Sequence, residues 1–169
     1  MRGRRSSGRP TRAQAAEARG DAAGAARAAA IALLARRDFA GGELIERLRA
    51  QAFDAATAAA VVIELTRQGL MSDERYAQNY VAYRAGRGQG PMRIAAELRR
   101  HGVAAEVVEA AVSGGADWGA LALRLCRARF GPRPPASWSE KARRARFLQY
   151  RGFSSDHIRA ATGADPDVD

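Results

Sequence analysis

The sequence predicts an all-α fold made of tandem three-helix repeats that form an elongated, curved array. Apolar residues recur at intervals of three and four through the middle of the chain, for example at Val61, Val62 and Leu65, as on a helix with one buried face. One short segment also occurs three times at a fixed spacing, which is typical of repeat architectures. No run of β-branched residues alternates with polar ones for long enough to predict a strand.

The repeated segment begins with a leucine, and the three leucines lie 50 residues apart: Leu48, Leu98 and Leu148. A small residue stands four positions after each leucine, and an apolar residue follows it. Gly102 and Gly152 can end a helix in the left-handed conformation, which lets the apolar residue fold back onto the leucine. Asp54 or Ser154 then caps a new helix. Ala52 replaces glycine in the first repeat, so that turn needs another geometry or accepts strain.

A further helical segment precedes each of these helix pairs, at about 26–37, 73–86 and 117–130. The predicted three-helix repeats therefore span 25–70, 71–114 and 115–162. Residues 1–24 lack large apolar side chains and are predicted to be a disordered basic arm. Residues 163–169 hold three aspartates and one proline, and they are predicted to be a frayed acidic tail.

The chain of 169 residues has a net charge of +10, which favours an anionic partner such as a nucleic acid. Lys141 is its only lysine; GC-rich coding would also explain the arginine bias, but the charge remains under either explanation. A single cysteine, Cys126, cannot form an intramolecular disulfide and fits a reducing cytoplasm. Residues 1–20 lack the apolar stretch of a signal peptide, and no apolar window is long enough to span a membrane.

Few residues suggest catalysis. His101 and His157 do not have the spacing of metal ligands, and His101 is expected to be a surface histidine at a helix C-terminus. Cys126 lies among leucines and is expected to be a buried structural thiol. Residues 86–90 are glycine-rich but lack the sequence of a phosphate-binding loop, so a helix–helix connection is expected. The sequence predicts no catalytic residue, metal or cofactor.

Arginines are the main candidates for binding a nucleic acid or a nucleoprotein filament. Residues 124–151 contain eight arginines and Lys141 against the single acidic residue Glu140, an excess that should bind polyanions with a steep salt dependence. A solvated helix face would explain such a run equally well. Base stacking and core packing are equally expected for Tyr150, whereas core packing is favoured for Tyr80. The candidate binding residues are Arg84, Arg87, Arg93, Arg99, Arg100, Arg124, Arg127, Arg129, Arg143, Arg144, Arg146 and Arg151.

Three stretches in order resemble the RecX family of recombination regulators: residues 69–77 (GLMSDERYA), residues 88–98 (GQGPMRIAAEL) with Gly102 and Val103 after them, and residues 146–154 (RFLQYRGFS). The similar region runs from about 27 to 161, with departures at Ser72 and Ala52. The resemblance implies tandem three-helix repeats and binding to the RecA recombinase filament on single-stranded DNA. It also implies lowering of the filament's ATPase and strand exchange in DNA repair and the SOS response.

The alternative is a stand-alone DNA-binding module with helix-turn-helix-like repeats, suggested by the three-helix units and their glycine turns. Residues 104–112 offer few of the polar side chains that a recognition helix uses to contact bases. Both interpretations describe a cytoplasmic protein that is not an enzyme, and the first describes a monomer.

Overall fold

The structure is a computed structural model that describes residues 11–163. These residues form nine α-helices and no strand, which confirms the predicted all-α class. The helices are α1 (Arg12–Leu34), α2 (Gly41–Arg49), α3 (Ala55–Arg67), α4 (Asp73–Gly86), α5 (Pro91–Arg100), α6 (Ala105–Gly115), α7 (Trp118–Phe130), α8 (Trp138–Arg151) and α9 (Ser155–Thr162). None of them is long and apolar enough to cross a membrane.

The helices belong to two compact units. The first contains α1, α3 and α2 from Glu43 onward, and its core includes the fully buried side chains of Leu44, Leu48 and Leu65. The second contains α4 to α9 together with residues 40–42. Its core is one continuous cluster, in which α4 packs mainly on α6 and α7 mainly on α9.

The N-terminal helix corrects one prediction. Residues 12–24, expected to belong to a disordered arm, lie in α1, while residues 1–10 are outside the described part of the chain. Alanine has the highest helix propensity, so this alanine-rich stretch can extend a helix that is anchored further along. The anchor is the packing of α1 on α3, where Ala26 and Ala30 are fully buried. Buried alanine side chains thus provide the packing for which the prediction required large apolar residues.

The repeated turn has the predicted Schellman geometry in all three repeats. The amides of Phe53, Val103 and Phe153 donate to the carbonyls of the three repeated leucines at 3.3, 3.2 and 3.2 Å, respectively. Ala52 has a φ of +69°, the only positive value among the described non-glycine residues. The first repeat therefore keeps the same turn and accepts the strain of a left-handed alanine.

The predicted helix caps are also present. The Asp54 side chain accepts a hydrogen bond from the Thr57 amide at 2.9 Å, and Ser154 Oγ accepts one from the His157 amide at 3.4 Å. Pro91 occupies the start of α5, where its missing N–H costs no hydrogen bond. Residues 86–90 connect α4 to α5, as expected of a helix–helix linker.

Within the second unit, the start of α5 is bonded directly to the end of α8 through backbone atoms. The Gly90 amide donates to the Arg151 carbonyl at 2.8 Å, and the Met92 amide donates to the Gly152 carbonyl at 3.0 Å. A Cβ at Gly90 would overlap the Gly152 carbonyl, and one at Gly152 would overlap Arg93. Both glycines are therefore required by this close approach, which holds α8 in place relative to α5.

Candidate nucleic-acid interface

Helix α8 has one buried and one exposed face. Ala145 and Leu148 lie in the core of the second unit. The opposite face follows the helical spacing of three and four residues: Arg143, Arg146 and Tyr150 are exposed, and Phe147 between them is partly buried. Basic and aromatic side chains therefore alternate along one side of the helix.

This face meets the end of α7 to form a cavity of about 720 Å³, which we call the basic-aromatic groove. It is lined by Arg129, Phe130, Arg143, Arg146, Phe147 and Tyr150. The rings of Phe130 and Phe147 pack edge to face, with their centroids 5.5 Å apart and their planes at 88°. The two phenylalanines thus join the helices and give the groove an apolar part.

Guanidinium groups lie against these rings. The Arg143 guanidinium carbon is 5.2 Å from the centroid of Phe130, and that of Arg129 is 5.9 Å from the same ring. Both distances are within the range of cation–π attraction. Tyr150 is 81% exposed, so its ring is free to stack on a ligand. This exposure rules out core packing for Tyr150.

The positive charge of the groove has no protein counter-charge in the described part of the chain. No ion pair forms there to Arg129, Arg143 or Arg146. Glu140, the one acidic residue nearby in sequence, accepts a hydrogen bond from the Ala136 amide at 2.9 Å, at the start of α8. An uncompensated cluster of guanidinium groups beside the exposed ring of Tyr150 is suited to binding a polyanion.

Two other candidate arginines are committed to an internal carboxylate. Arg84 Nη2 lies 3.0 Å from Glu97 Oε2, and Arg93 Nε lies 3.2 Å from Glu97 Oε1. The Tyr80 hydroxyl donates to Glu97 Oε2 at 2.8 Å, and the partly buried Tyr80 side chain packs against the core of the second unit, as expected. We therefore place Arg84 and Arg93 in a structural ion-pair cluster between α4 and α5.

This cluster keeps Glu97 ionised although it is only 8% exposed. Burial alone would raise the pKa of Glu97, but the hydrogen bonds from Tyr80 and Arg93 and the charges of Arg84 and Arg93 outweigh it and lower that pKa. Burial also raises the pKa of the Tyr80 hydroxyl, so tyrosine remains the donor in its bond to the carboxylate. The carboxylate is thus a fixed acceptor that holds three side chains together.

The remaining candidates lie at several places in the second unit. Arg151 Nη1 donates to the carbonyls of Arg87 and Gly88 at 3.3 and 3.4 Å, so it fastens the α4–α5 linker to α8. The Arg87 guanidinium lies over the Tyr83 ring at 4.6 Å. Three further candidates, Arg99, Arg100 and Arg124, are exposed on α5 and α7.

Arg127 and Arg144 line a different cavity, together with Arg133, which the sequence analysis did not single out. Arg144 is only 8% exposed, although it was expected on a binding face. The spacing of the arginines could have suggested this difference, because Arg144 is next to Ala145 on the core side of α8. Phe130 and Phe147 were also missed as site residues, since an apolar residue in a helical pattern ordinarily predicts core.

Cys126 and the histidines have structural contacts. The Cys126 side chain is 1% exposed and burial raises the pKa of its thiol, which confirms the prediction of a buried structural cysteine. His101 ends α5 as expected, but it is half-buried rather than a surface residue. Its Nδ1 lies 2.9 Å from the Tyr76 hydroxyl. His157 Nδ1 is 2.7 Å from Ser154 Oγ, beside the cap of α9.

Comparisons with known proteins agree with this architecture. Residues 72–112 match the family model of the second three-helix domain of RecX, and residues 119–162 match that of its third three-helix domain. The regulatory protein RecX of Halorhodospira halophila is 41% identical over 151 residues, covering 89% of this chain and 94% of that protein. That of Stenotrophomonas maltophilia is 40% identical over 139 residues, covering 82% and 85%.

Solved structures show the same fold. The crystal structure of RecX from Lactobacillus salivarius superposes with a TM-score of 0.73 at 21% identity, covering 84% of this chain and 95% of that chain. A second crystal structure, of a regulatory protein RecX, gives a TM-score of 0.74 at 20% identity, with coverages of 91% and 78%. The predicted tandem three-helix organisation is confirmed, while the curvature of the array stays a prediction. From these matches, the chain belongs to the RecX family of regulatory proteins.

Proposed function

We propose that this protein binds the RecA recombinase filament on single-stranded DNA and lowers its ATPase and strand-exchange activities. It acts in the cytoplasm as a monomer, without a cofactor and without catalysis of its own. The observation that supports this function best is the basic-aromatic groove, with its three arginines that lack carboxylate partners among the described residues.

The groove offers both kinds of contact that a single strand accepts. Guanidinium groups bind phosphate oxygens through paired N–H donors. Exposed aromatic rings stack on unpaired bases, which every base allows because each has a π face. Arg143 and Arg146 lie on the same exposed face of α8 as the ring of Tyr150, so one strand could engage phosphate and base together.

A protein that binds the DNA strand can regulate the recombinase without catalysing a reaction itself. The recombinase hydrolyses ATP as a filament on the strand, so a protein that competes for the strand's phosphates, or that holds the filament in one state, reduces turnover. Because the contact is largely electrostatic, inhibition should weaken as salt rises.

The test is RecA ATP hydrolysis on single-stranded DNA with increasing amounts of this protein. We expect inhibition at well below one molecule per recombinase for the wild type, and strongly reduced inhibition for Arg143→Gln/Arg146→Gln. The matched control is Arg49→Gln/Arg67→Gln, which removes the same charge from exposed helix positions of the first unit. The control should inhibit like the wild type. Absence of both inhibition and filament binding at these ratios would contradict the proposal.

The stand-alone DNA-binding module receives less support. Helix α6 stands where the repeat would place a recognition helix, and it exposes Glu106 and Glu109, whose charges repel DNA phosphates. Sequence-specific duplex binding that persists at high salt without RecA would favour this alternative.

A further inference from the structure

The groove between α7 and α8 leads to the linker that joins α4 to α5. The two helices meet in the groove at Phe130 and Phe147. They meet again at Gly88, where an added Cβ would lie 2.9 Å from the Leu125 side chain and 3.1 Å from Arg151 Nη1. Since Leu125 precedes Phe130 and Arg151 follows Phe147, the helices run in opposite directions along the groove. One end of the groove therefore reaches the linker.

Arg151 connects the groove to the linker directly. Its guanidinium carbon lies 5.2 Å from the centroid of Phe147, which lines the groove. Its Nη1 donates to the carbonyls of Arg87 and Gly88 at 3.3 and 3.4 Å. The Gly90 amide also donates to the Arg151 carbonyl at 2.8 Å, so the linker and the groove keep a fixed spacing. A strand that leaves the groove at this end therefore arrives at the linker.

A second basic and aromatic surface lies beside this linker. The ring of Tyr83 is 56% exposed, and the guanidinium carbon of Arg87 is 4.6 Å from its centroid. Arg124 directly precedes Leu125 on α7; it is exposed and lines a small cavity together with Gly86. We call Tyr83, Arg87 and Arg124 the linker patch.

The positive charges of the linker patch are available to a ligand. Neither of its two arginines forms an ion pair within residues 11–163. Asp117 lines the same cavity as Arg124, but its carboxylate accepts a hydrogen bond from the Ala120 amide at 2.9 Å and caps α7. A guanidinium that lies over a ring still presents N–H donors at its edge, and these match a phosphate. The linker patch thus offers the same two kinds of contact as the groove.

The groove by itself accommodates only a few nucleotides. From Arg143 to Arg151, α8 advances about 12 Å at about 1.5 Å per residue. Stacked bases rise by about 3.4 Å along a strand, so this length corresponds to about four of them. A longer strand must continue beyond the groove, and at the Arg151 end it meets the linker patch.

We propose that the linker patch is a second subsite for single-stranded nucleic acid and is continuous with the basic-aromatic groove. One base stacks on Tyr83, while Arg87 and Arg124 bind the neighbouring phosphates. This inference rests on the proposed function, because it requires that the groove binds a strand. It adds that one strand crosses from the third three-helix repeat to the second.

The test compares affinities at low salt for deoxythymidine oligonucleotides of four nucleotides, which fill the groove, and of twelve, which extend beyond it. Tyr83→Ala should bind the longer strand at least about fivefold more weakly than the wild type, the loss expected for one stacked base. It should bind the shorter strand like the wild type. Arg87→Gln/Arg124→Gln should show the same dependence on length, whereas Tyr83→Phe, which keeps the ring, should bind both strands like the wild type.

The controls separate this inference from the proposed function. Arg47→Gln/Arg49→Gln removes the same charge from exposed positions of the first unit and should not alter either affinity. If Tyr150→Ala weakens binding of the longer strand but Tyr83→Ala does not, the linker patch is overturned and the groove stands. An equal loss for both lengths in Tyr83→Ala would also overturn the linker patch, because a general effect on folding does not depend on strand length. A wild type that binds neither strand would overturn the groove together with the linker patch.

Discussion

Neutralising the three arginines of the basic-aromatic groove should reduce both the affinity for single-stranded DNA and its dependence on salt. The change is Arg129→Gln/Arg143→Gln/Arg146→Gln. Glutamine has a helix propensity close to that of arginine. None of the three arginines forms an ion pair with a described carboxylate. The substitutions remove the cation–π contacts of Arg129 and Arg143 with Phe130, which are worth about 0.5–1 kcal/mol each at exposed sites, so the fold should be only modestly affected.

The magnitude follows from counterion release. Each neutralised phosphate contributes about 0.7 to the slope of log K against log salt for single strands. Losing three contacts should therefore reduce the magnitude of the slope by about 2. Extrapolated to a 1 M reference, the same relation predicts an affinity loss of about 500-fold at 50 mM salt but only about 30-fold at 200 mM.

The measurement is a fluorescence anisotropy titration with a labelled oligonucleotide of mixed sequence at several salt concentrations. Arg47→Gln/Arg49→Gln/Arg67→Gln is the matched control, because it removes the same charge from exposed positions of the first unit. A slope equal to that of the wild type would refute the reasoning and show that the groove arginines are merely solvated. An equal change in the control would mean that net charge, rather than the groove, determines binding.

Three further outcomes are expected. Tyr150→Ala should weaken single-strand binding by about 1–3 kcal/mol, the usual value of one stacked base, whereas Tyr150→Phe should bind like the wild type in the same titration. Ala52→Gly should raise the free energy of unfolding by up to about 1 kcal/mol in urea denaturation, because it relieves a left-handed alanine, and a decrease would contradict that strain. Glu97→Gln should destabilise by about 1–3 kcal/mol, since it leaves Arg84 and Arg93 without their carboxylate. Because the folded-state pKa of Glu97 is lowered from 4.5, its contribution is present above about pH 4.5 and is lost as the pH falls through the folded value, so wild type and variant should converge in acid.

The repeat architecture was predictable because it depends on local chemistry. A leucine, a residue able to adopt positive φ and an apolar residue define the turn within six positions, and all three copies form it. The ends of α4 and α7 agree with the predicted segments to within one residue, since Ser72, Asp117 and Gly131 mark them locally. The length of helix α1 was underpredicted, because the helix is stabilised by packing against α3, which lies further along the sequence.

The site was predictable only in part, because it depends on which side chains meet across helices. The pair Arg93 and Glu97 is visible in the sequence as an i, i+4 spacing, but Arg84 joins them from another helix. The groove itself requires Phe130 and Phe147 to meet, and a proline-rich loop of unpredictable path separates them. Composition therefore identified the basic region, whereas the division into exposed, paired and buried arginines required the fold.

The junction of Gly90 with Gly152 has a mechanical consequence. The positive end of the α5 dipole meets the negative end of α8, and main-chain hydrogen bonds join them without intervening side chains. The two helix ends can move little relative to each other, because neither glycine leaves room for sliding or for a side chain. A force exerted on α8 by a ligand is therefore transmitted to α5 through the backbone. The second and third repeats should therefore unfold together under an applied force, as one cooperative unit rather than one after the other.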